Sequence, residues 1–376
     1  MFGRKEPKDQ DKRYRVTVSL NRKLADRLEA FAVIRGQDAT QSLAHLTQNL
    51  VKLLPASPPP KALACADLEI KEATVEGGIP FIKLRMGRVF YGLPCEPHHR
   101  ALYTFLADLL PRKLTPETYH LANEIQGRYF DVSYPGIPGP GGVIVEAGAY
   151  IGFKAIRFAD IVGPTGKVVA IEMIPDNAQL LDRNVRANGL ENVVTTVCSG
   201  LWNEPGEFTA NYKNYQQNSL VHLDDRKYAN QMTVKTDTLD NILDRTYVGN
   251  IDFLNMQING AELEALRGLK RRVNDIKLLR IASYYKRQGK PTVDACCKIL
   301  DELGCVVLNR SPAGTIYASP PRFADEFPDI RSLQWPATVA EVTDACTEVY
   351  SKALAEGAAG LDTENADAPE TGGNRG

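Results

Sequence analysis

The chain carries little that would place it outside an ordinary cell interior. No apolar run approaches the length of a membrane span, and Met1 leads into Arg4, Lys5 and Lys8 without the apolar core of a signal peptide. Neither sign of charge dominates, the formal net charge of the 376 residues being −1, so no class of partner follows from charge alone. Seven cysteines (65, 95, 198, 296, 297, 305, 346) are an odd number at irregular spacing with no paired C-x-x-C sites. That usage excludes a disulfide framework and favours reduced thiols, hence a cytoplasmic location. Histidine is scarce at five residues, and the cluster of Cys95, His98 and His99 lacks a second ligand pair, so no metal is expected. His120 and His222 are singletons that read as structural or solvated. No internal repeat is present.

What the chain does have is a β-branched run that ends in an acid and a glycine turn, Val143 to Gly152, VIVEAGAYIG. A buried parallel strand, a glycine turn and an amphipathic segment (Phe153, Ile156, Ile161) open the first nucleotide-binding crossover of an α/β fold. Glu146 stands at the strand's end, where ligands of open sheets bind. A second run, Lys167 to Ile171, ends in Glu172, about 20 residues beyond the turn, where an acid that hydrogen-bonds a ribose falls. Two such strands fit an adenosine-type cofactor. Ala149 and Tyr150 replace the middle of the dinucleotide G-x-G-x-x-G turn, which leans away from NAD and towards S-adenosylmethionine.

From about Val143 to Ser319 the chain resembles the FkbM-type branch of class I S-adenosylmethionine-dependent methyltransferases. VEAGAYIG resembles that family's first motif, and GPTGKVVAIEMIPDNAQLLDRNVRANGLENV its second strand, cofactor acid and following helix. VKTDTLDNI (Val234 to Ile242) is similar to its Thr-Leu-Asp segment, and IDFLNMQINGAELEALRGL (Ile251 to Leu269) to its Gly-Ala-Glu signature. The resemblance implies a Rossmann-like, mostly parallel sheet and S-adenosylmethionine as cofactor. It assigns cofactor contacts to Glu146, Gly148, Tyr150, Gly152, Glu172 and Ser199, and places Gln257, Asn259 and Glu262 at the catalytic edge. The acceptor it implies is a small molecule or glycan, methylated on oxygen. Where the family's fourth strand reads Lys-Ile-Asp-Val-Glu-Gly-Ala-Glu, this chain has Asn255, Gln257 and Asn259, which removes the lysine and both acids from the expected substrate edge. Amides orient a hydroxyl but do not act as a general base near neutral pH. Tyr284, Tyr285 and Lys286 follow the fifth strand, Ile276 to Ala282, and either shape an acceptor site or form an exposed loop.

Residues 13–54 make a second recognisable unit. Arg13, Arg15, Thr17 and Ser19 alternate with Tyr14, Val16, Val18 and Leu20 as a strand; Asn21 caps a helix that Gly36 ends; a second helix carries Leu43, Leu46, Leu50 and Leu53. The pattern resembles the ribbon-helix-helix fold of Arc and CopG-type repressors, which implies a homodimer with paired strands. In that family outward strand residues read DNA, which here points to Arg15, Thr17 and Ser19. Residues 1–60 carry eleven Lys or Arg against six acids, an excess of +5 that is modest for a duplex binder. Asp38, at the phosphate-facing helix end, counts against DNA. The organisation expected is a tail (1–12), this module (13–54), a Pro-rich linker (55–62), an accessory α+β region (63–140), the methyltransferase domain (141–320), a helical extension (321–355) and a disordered tail (356–376). An active methyltransferase is the first expectation. A SAM-binding, DNA-binding regulator or scaffold with weakened activity is the alternative.

Overall fold

The computed structural model describes residues 68–95, 100, 103, 104, 107, 114–212, 219–221, 230–246 and 248–335. The chain divides into two compact units between Pro58 and Pro59, and every described residue lies in the second. The ribbon-helix-helix reading, with Arg15, Thr17 and Ser19, falls outside the described residues, as do His98, His99, His222 and the tail after residue 335.

Seven strands form the central sheet: β4 (Val143–Ala147), β5 (Lys167–Glu172), β6 (Val194–Cys198), β10 (Ile251–Met256), β11 (Ile276–Ala282), β14 (Val306–Arg310) and β15 (Thr315–Ser319). Their order is β14-β15-β11-β10-β4-β5-β6; β15 runs antiparallel to both neighbours and the other pairings are parallel. Side chains alternate between two apolar layers, as a sheet covered on both faces requires. Ile144, Val168, Phe253 and Leu278 enter one core, while Val145, Val169, Leu254 and Leu279 enter the other.

Helices α2 (Phe153–Val162) and α3 (Pro175–Ala187) cover the first face. Phe153, Ile156, Phe158 and Ala159 of α2 are buried there, spaced as one helical stripe. Helices α4 (Leu239–Arg245), α5 (Glu262–Arg267) and α6 (Thr292–Glu302) supply the second. Thr238 caps α4 by accepting from the Asn241 N–H at 3.1 Å. Asp240 accepts from the backbone N–H groups of Lys270, Arg271 and Arg272 at 2.8–3.0 Å. The Thr-Leu-Asp segment is thus a brace for the chain leaving α5.

The accessory region begins with an antiparallel meander, β1 (Ile70–Glu76), β2 (Ile79–Leu84) and β3 (Val89–Tyr91), followed by α1 (Pro116–Ile125) and a π-helical turn, Gln126–Phe130. Helix α1 thus widens at its end into the π turn. Asn184 of α3 and Asn188, the residue just past its end, hydrogen-bond the β3 backbone at Tyr91 and Val89, which satisfies the meander's outer edge. A further three-stranded sheet, β7 (Gly200–Leu201), β9 (Asn230–Asp237) and β8 (Gly206–Tyr212), and the short ribbon β12 (Lys286–Arg287) with β13 (Lys290–Pro291), were not evident from the sequence pattern.

Candidate active site

The strand order reverses between β4 and β10, and open α/β sheets bind ligands outside the carboxyl ends of their strands at that point. A cavity of about 240 Å³ lies there. Gly148 and Tyr150 of the β4 turn, Glu172 at the end of β5, Ser199 after β6, and Gln257 and Asn259 after β10 all line it. The structure thus brings together six of the nine residues singled out for cofactor binding or catalysis. Glu146, Gly152 and Glu262 lie behind the lining.

Gly148 has φ of +90°, and a Cβ there would meet the Gln257 carbonyl oxygen at 2.1 Å. Its N–H and that of Ala149 both donate to the Ile171 carbonyl at 2.9 Å, tying the turn to β5. Gly152 starts α2 with φ of +97° where a Cβ would strike Leu181, so its part is packing.

Glu172 is 7 % exposed and accepts from the backbone N–H of Tyr150 at 2.9 Å and of Ile174 at 3.0 Å. Burial pushes its carboxyl up to about 7, against the opposing pull of those N–H groups. Oε1 also accepts from the Asn177 amide at 3.4 Å, so the lone pair open to a hydroxyl donor from the cavity is on Oε2. Ser199 points its hydroxyl to the Gly200 carbonyl at 3.0 Å, and its neighbour Cys198 is exposed and outside the lining.

Glu146 is fully buried, and burial raises its pKa while Lys154 opposes the rise. Its partners follow from strand register: Glu146, Asn255, Arg280 and Tyr317 form one cross-strand row over β4, β10, β11 and β15. Asn255 Nδ2 donates to Glu146 Oε2 at 2.6 Å and Arg280 Nη1 donates to Asn255 Oδ1 at 2.7 Å, while the Arg280 guanidinium stacks 3.9 Å from the Tyr134 ring. Asn255 is therefore interior to the sheet and not at the substrate edge where the motif comparison put it.

The expectation that the acceptor edge carries no charge is also corrected. Lys154, in the first turn of α2, lines the cavity and donates to Glu146 Oε1 and to Gln257 Oε1, each at 3.2 Å. Gln257 Nε2 in turn donates to the Tyr284 hydroxyl at 2.5 Å. Tyr285 donates to Asn259 Oδ1 at 2.8 Å, and the two tyrosine rings lie 4.6 Å apart. Both tyrosines line the cavity, while Lys286 is exposed and outside the lining. Asn259 holds φ of +54°, and its carbonyl accepts from the Ser219 hydroxyl at 2.7 Å. Glu262 accepts from the Ile258 N–H at 3.0 Å, which closes the Gly-Ala-Glu turn; its Oε2 is buried without a partner and burial pushes the carboxyl up to about 7.

Arg128 is a second lining residue that sequence reasoning missed. It comes from the π turn of the accessory region, pairs with Glu124 and sits 5.1 Å from the Tyr150 ring centroid. Among the described residues no group of three His, Cys, Asp or Glu side chains could hold a metal ion, and Cys95 is buried.

Residues 146–306 match the family model of the methyltransferase FkbM domain. The matched segment runs from Glu146 of the first motif to the start of β14, so it contains the cavity's strand ends. It supports S-adenosylmethionine as the cofactor and methyl transfer as the chemistry of this segment. The chain is 44 % identical over 57 residues to protein-L-isoaspartate O-methyltransferase 1 of Archaeoglobus fulgidus, covering 15 % of this chain and 26 % of that protein. It is 40 % identical over 55 residues to catechol O-methyltransferase of Sus scrofa, covering 15 % and 30 %. The matches thus span under a third of those relatives. Among solved structures, methyltransferase FkbM from Methylobacillus flagellatus is 18 % identical over 59 % of each chain with a TM-score of 0.34. Aeropyrum pernix fibrillarin is 13 % identical over 67 % of this chain and 99 % of its own, with a TM-score of 0.33. Among the described residues no helix is long and apolar enough to cross a membrane.

Proposed function

We propose that the chain is a cytoplasmic S-adenosylmethionine-dependent methyltransferase that acts on an oxygen of a small-molecule or glycan acceptor. One observation carries this: Glu172 presents a carboxylate at the end of β5 to a cavity at the sheet's switch point, inside the segment that matches the FkbM domain. In this reading Glu172 accepts from the ribose hydroxyls, and Gly148, Tyr150 and Ser199 shape the cofactor's bed. Arg128, beside Tyr150, supplies a cation for the cofactor's methionyl carboxylate. Glu146 and Gly152 act from behind, one by fixing Lys154 and the other by packing α2. Gln257 and Asn259 orient the acceptor, with Glu262 holding their loop.

The relatives named as O-methyltransferases support oxygen as the receiving atom. Methyl transfer from a sulfonium depends on in-line approach, which a rigid pocket provides by position. Calorimetric titration with S-adenosylmethionine and S-adenosylhomocysteine tests the cofactor, and transfer of a labelled methyl group to a metabolite pool tests the reaction. Saturable cofactor binding with transfer is expected. Absence of cofactor binding by folded protein overturns the reading.

A further inference from the structure

The polarity of the hydrogen bonds along the acceptor wall is fixed by chemistry. The Lys154 ammonium has three donors and no acceptor, so the side-chain oxygen of Gln257 must face it and the Gln257 amide N–H must face Tyr284. The phenol oxygen of Tyr284 therefore accepts, and its own O–H is left to donate. Glu146 anchors the far end, since its Oε1 takes a second Lys154 N–H. Lys154 uses two of its three donors on these partners and lines the cavity with the third in hand. Tyr284 is 47 % exposed at the same wall.

We propose that the methyl acceptor is an organic acid, bound as its anion and methylated on a carboxylate oxygen, with the Lys154 ammonium and the Tyr284 hydroxyl holding it. This rests on the methyltransferase reading above. Lys154 and Tyr284 sit at the two ends of the Gln257 amide on one wall of the cavity and offer an anion a cation and a hydroxyl donor, and charge-assisted hydrogen bonds of this kind are the strong ones. They serve a neutral alcohol poorly. An alcohol must shed its proton as the methyl arrives, whereas Lys154 has no lone pair and that of Tyr284 which faces Gln257 is engaged.

Among the described lining residues Glu172 is the only carboxylate, and it stands at the β5 end, separated from the Tyr284 wall by β4 and β10 in the sheet order. A carboxylate needs no base, being ionised at neutral pH. The step balances without a proton: a carboxylate lone pair forms the new O–CH3 bond, the S–CH3 bond breaks, and its electron pair returns to sulfur as a neutral thioether. The ester so formed is uncharged and loses its attraction to Lys154, which favours release.

The test uses the full chain with methyl-labelled S-adenosylmethionine and two defined pools at neutral pH. One pool holds sugar acids, aromatic acids and amino acids; the other holds the matching alcohols. Label is expected in the acid pool alone, and mild alkali should release it as volatile methanol, as an ester requires. Lys154→Met and Tyr284→Phe should each raise KM for the acid about tenfold or more while the Kd for S-adenosylmethionine stays nearly unchanged. Label in the alcohol pool, or an alkali-stable methyl group in the acid pool, overturns the inference and leaves the methyltransferase reading standing. No transfer to either pool, from protein that binds the cofactor, overturns both.

Discussion

The Cα of Gly148 faces the main-chain oxygen of Gln257 so closely that a methyl group at 148 would lie 2.1 Å from it. This contact joins the turn after β4 to the loop after β10, the two segments that flank the switch point. Gly148→Ala adds both a left-handed backbone angle and an overpacked contact, at roughly 2 to 5 kcal/mol together. Denaturant melts should show that loss, and cofactor affinity should fall with it because Tyr150 follows in the same turn. A variant with unchanged stability would mean the two loops move apart freely.

Glu172 gives the site a pH dependence. Its carboxyl, raised by burial to about 7, is mostly protonated at pH 6 and mostly ionised at pH 8. The ionised form is the stronger acceptor for ribose hydroxyls, so cofactor affinity should rise with pH, by up to about tenfold across that window. Glu172→Gln should flatten the profile. Glu172→Ala should weaken binding at least about tenfold, since one or two charge-assisted hydrogen bonds are lost. Calorimetry at both pH values reads each effect.

Glu262 should act on stability instead. Its folded value of about 7 lies above the ordinary 4.5, so the folded state holds the proton that the unfolded chain gives up. The contribution is full below about 4.5 and is lost as pH rises through 7. Glu262→Gln keeps an oxygen for the Ile258 N–H and cannot ionise. Urea melts of the variant should therefore lose less stability between pH 5 and 8 than those of the parent, by roughly 1 to 3 kcal/mol. Parallel pH profiles would show that Glu262 keeps an ordinary pKa.

The cofactor half of this site was legible in the sequence because it is written in short, local patterns. A β-branched run, a terminal acid and a glycine turn specify β4 and β5 with few alternatives, and Ile276 to Ala282 is found as the strand expected. The acceptor half was not. Lys154 reaches Gln257 only because α2 folds back over the sheet, a contact 103 residues apart in sequence. Arg128 arrives from a π turn in a separate layer, where no periodicity marks it. Asn255 looked like a pocket residue by its place in a motif, yet strand alternation turns it into the sheet, against Glu146 and Arg280. Periodicity tells which face a residue takes but not which neighbouring helix covers that face.

The amino-terminal module yields the last prediction. The alternating pattern of residues 13–20 predicts a strand with one apolar face whose edge would be left unpaired, and a unit of about 42 residues would be too small to bury it alone. Pairing with a second copy answers both needs. Removing residues 1–60 should halve the mass seen by light scattering while cofactor affinity is retained, because Glu172 and its partners lie wholly in the second unit. Arg15→Ala should leave the dimer intact. The local excess of +5 is modest and Asp38 would oppose phosphate, so no duplex should bind at near-physiological salt. A footprint at a defined operator, abolished by Arg15→Ala with the dimer preserved, would reverse that expectation. Arg15, Thr17 and Ser19 would then be groove-reading residues, and the enzyme fold a cofactor-sensing partner to them.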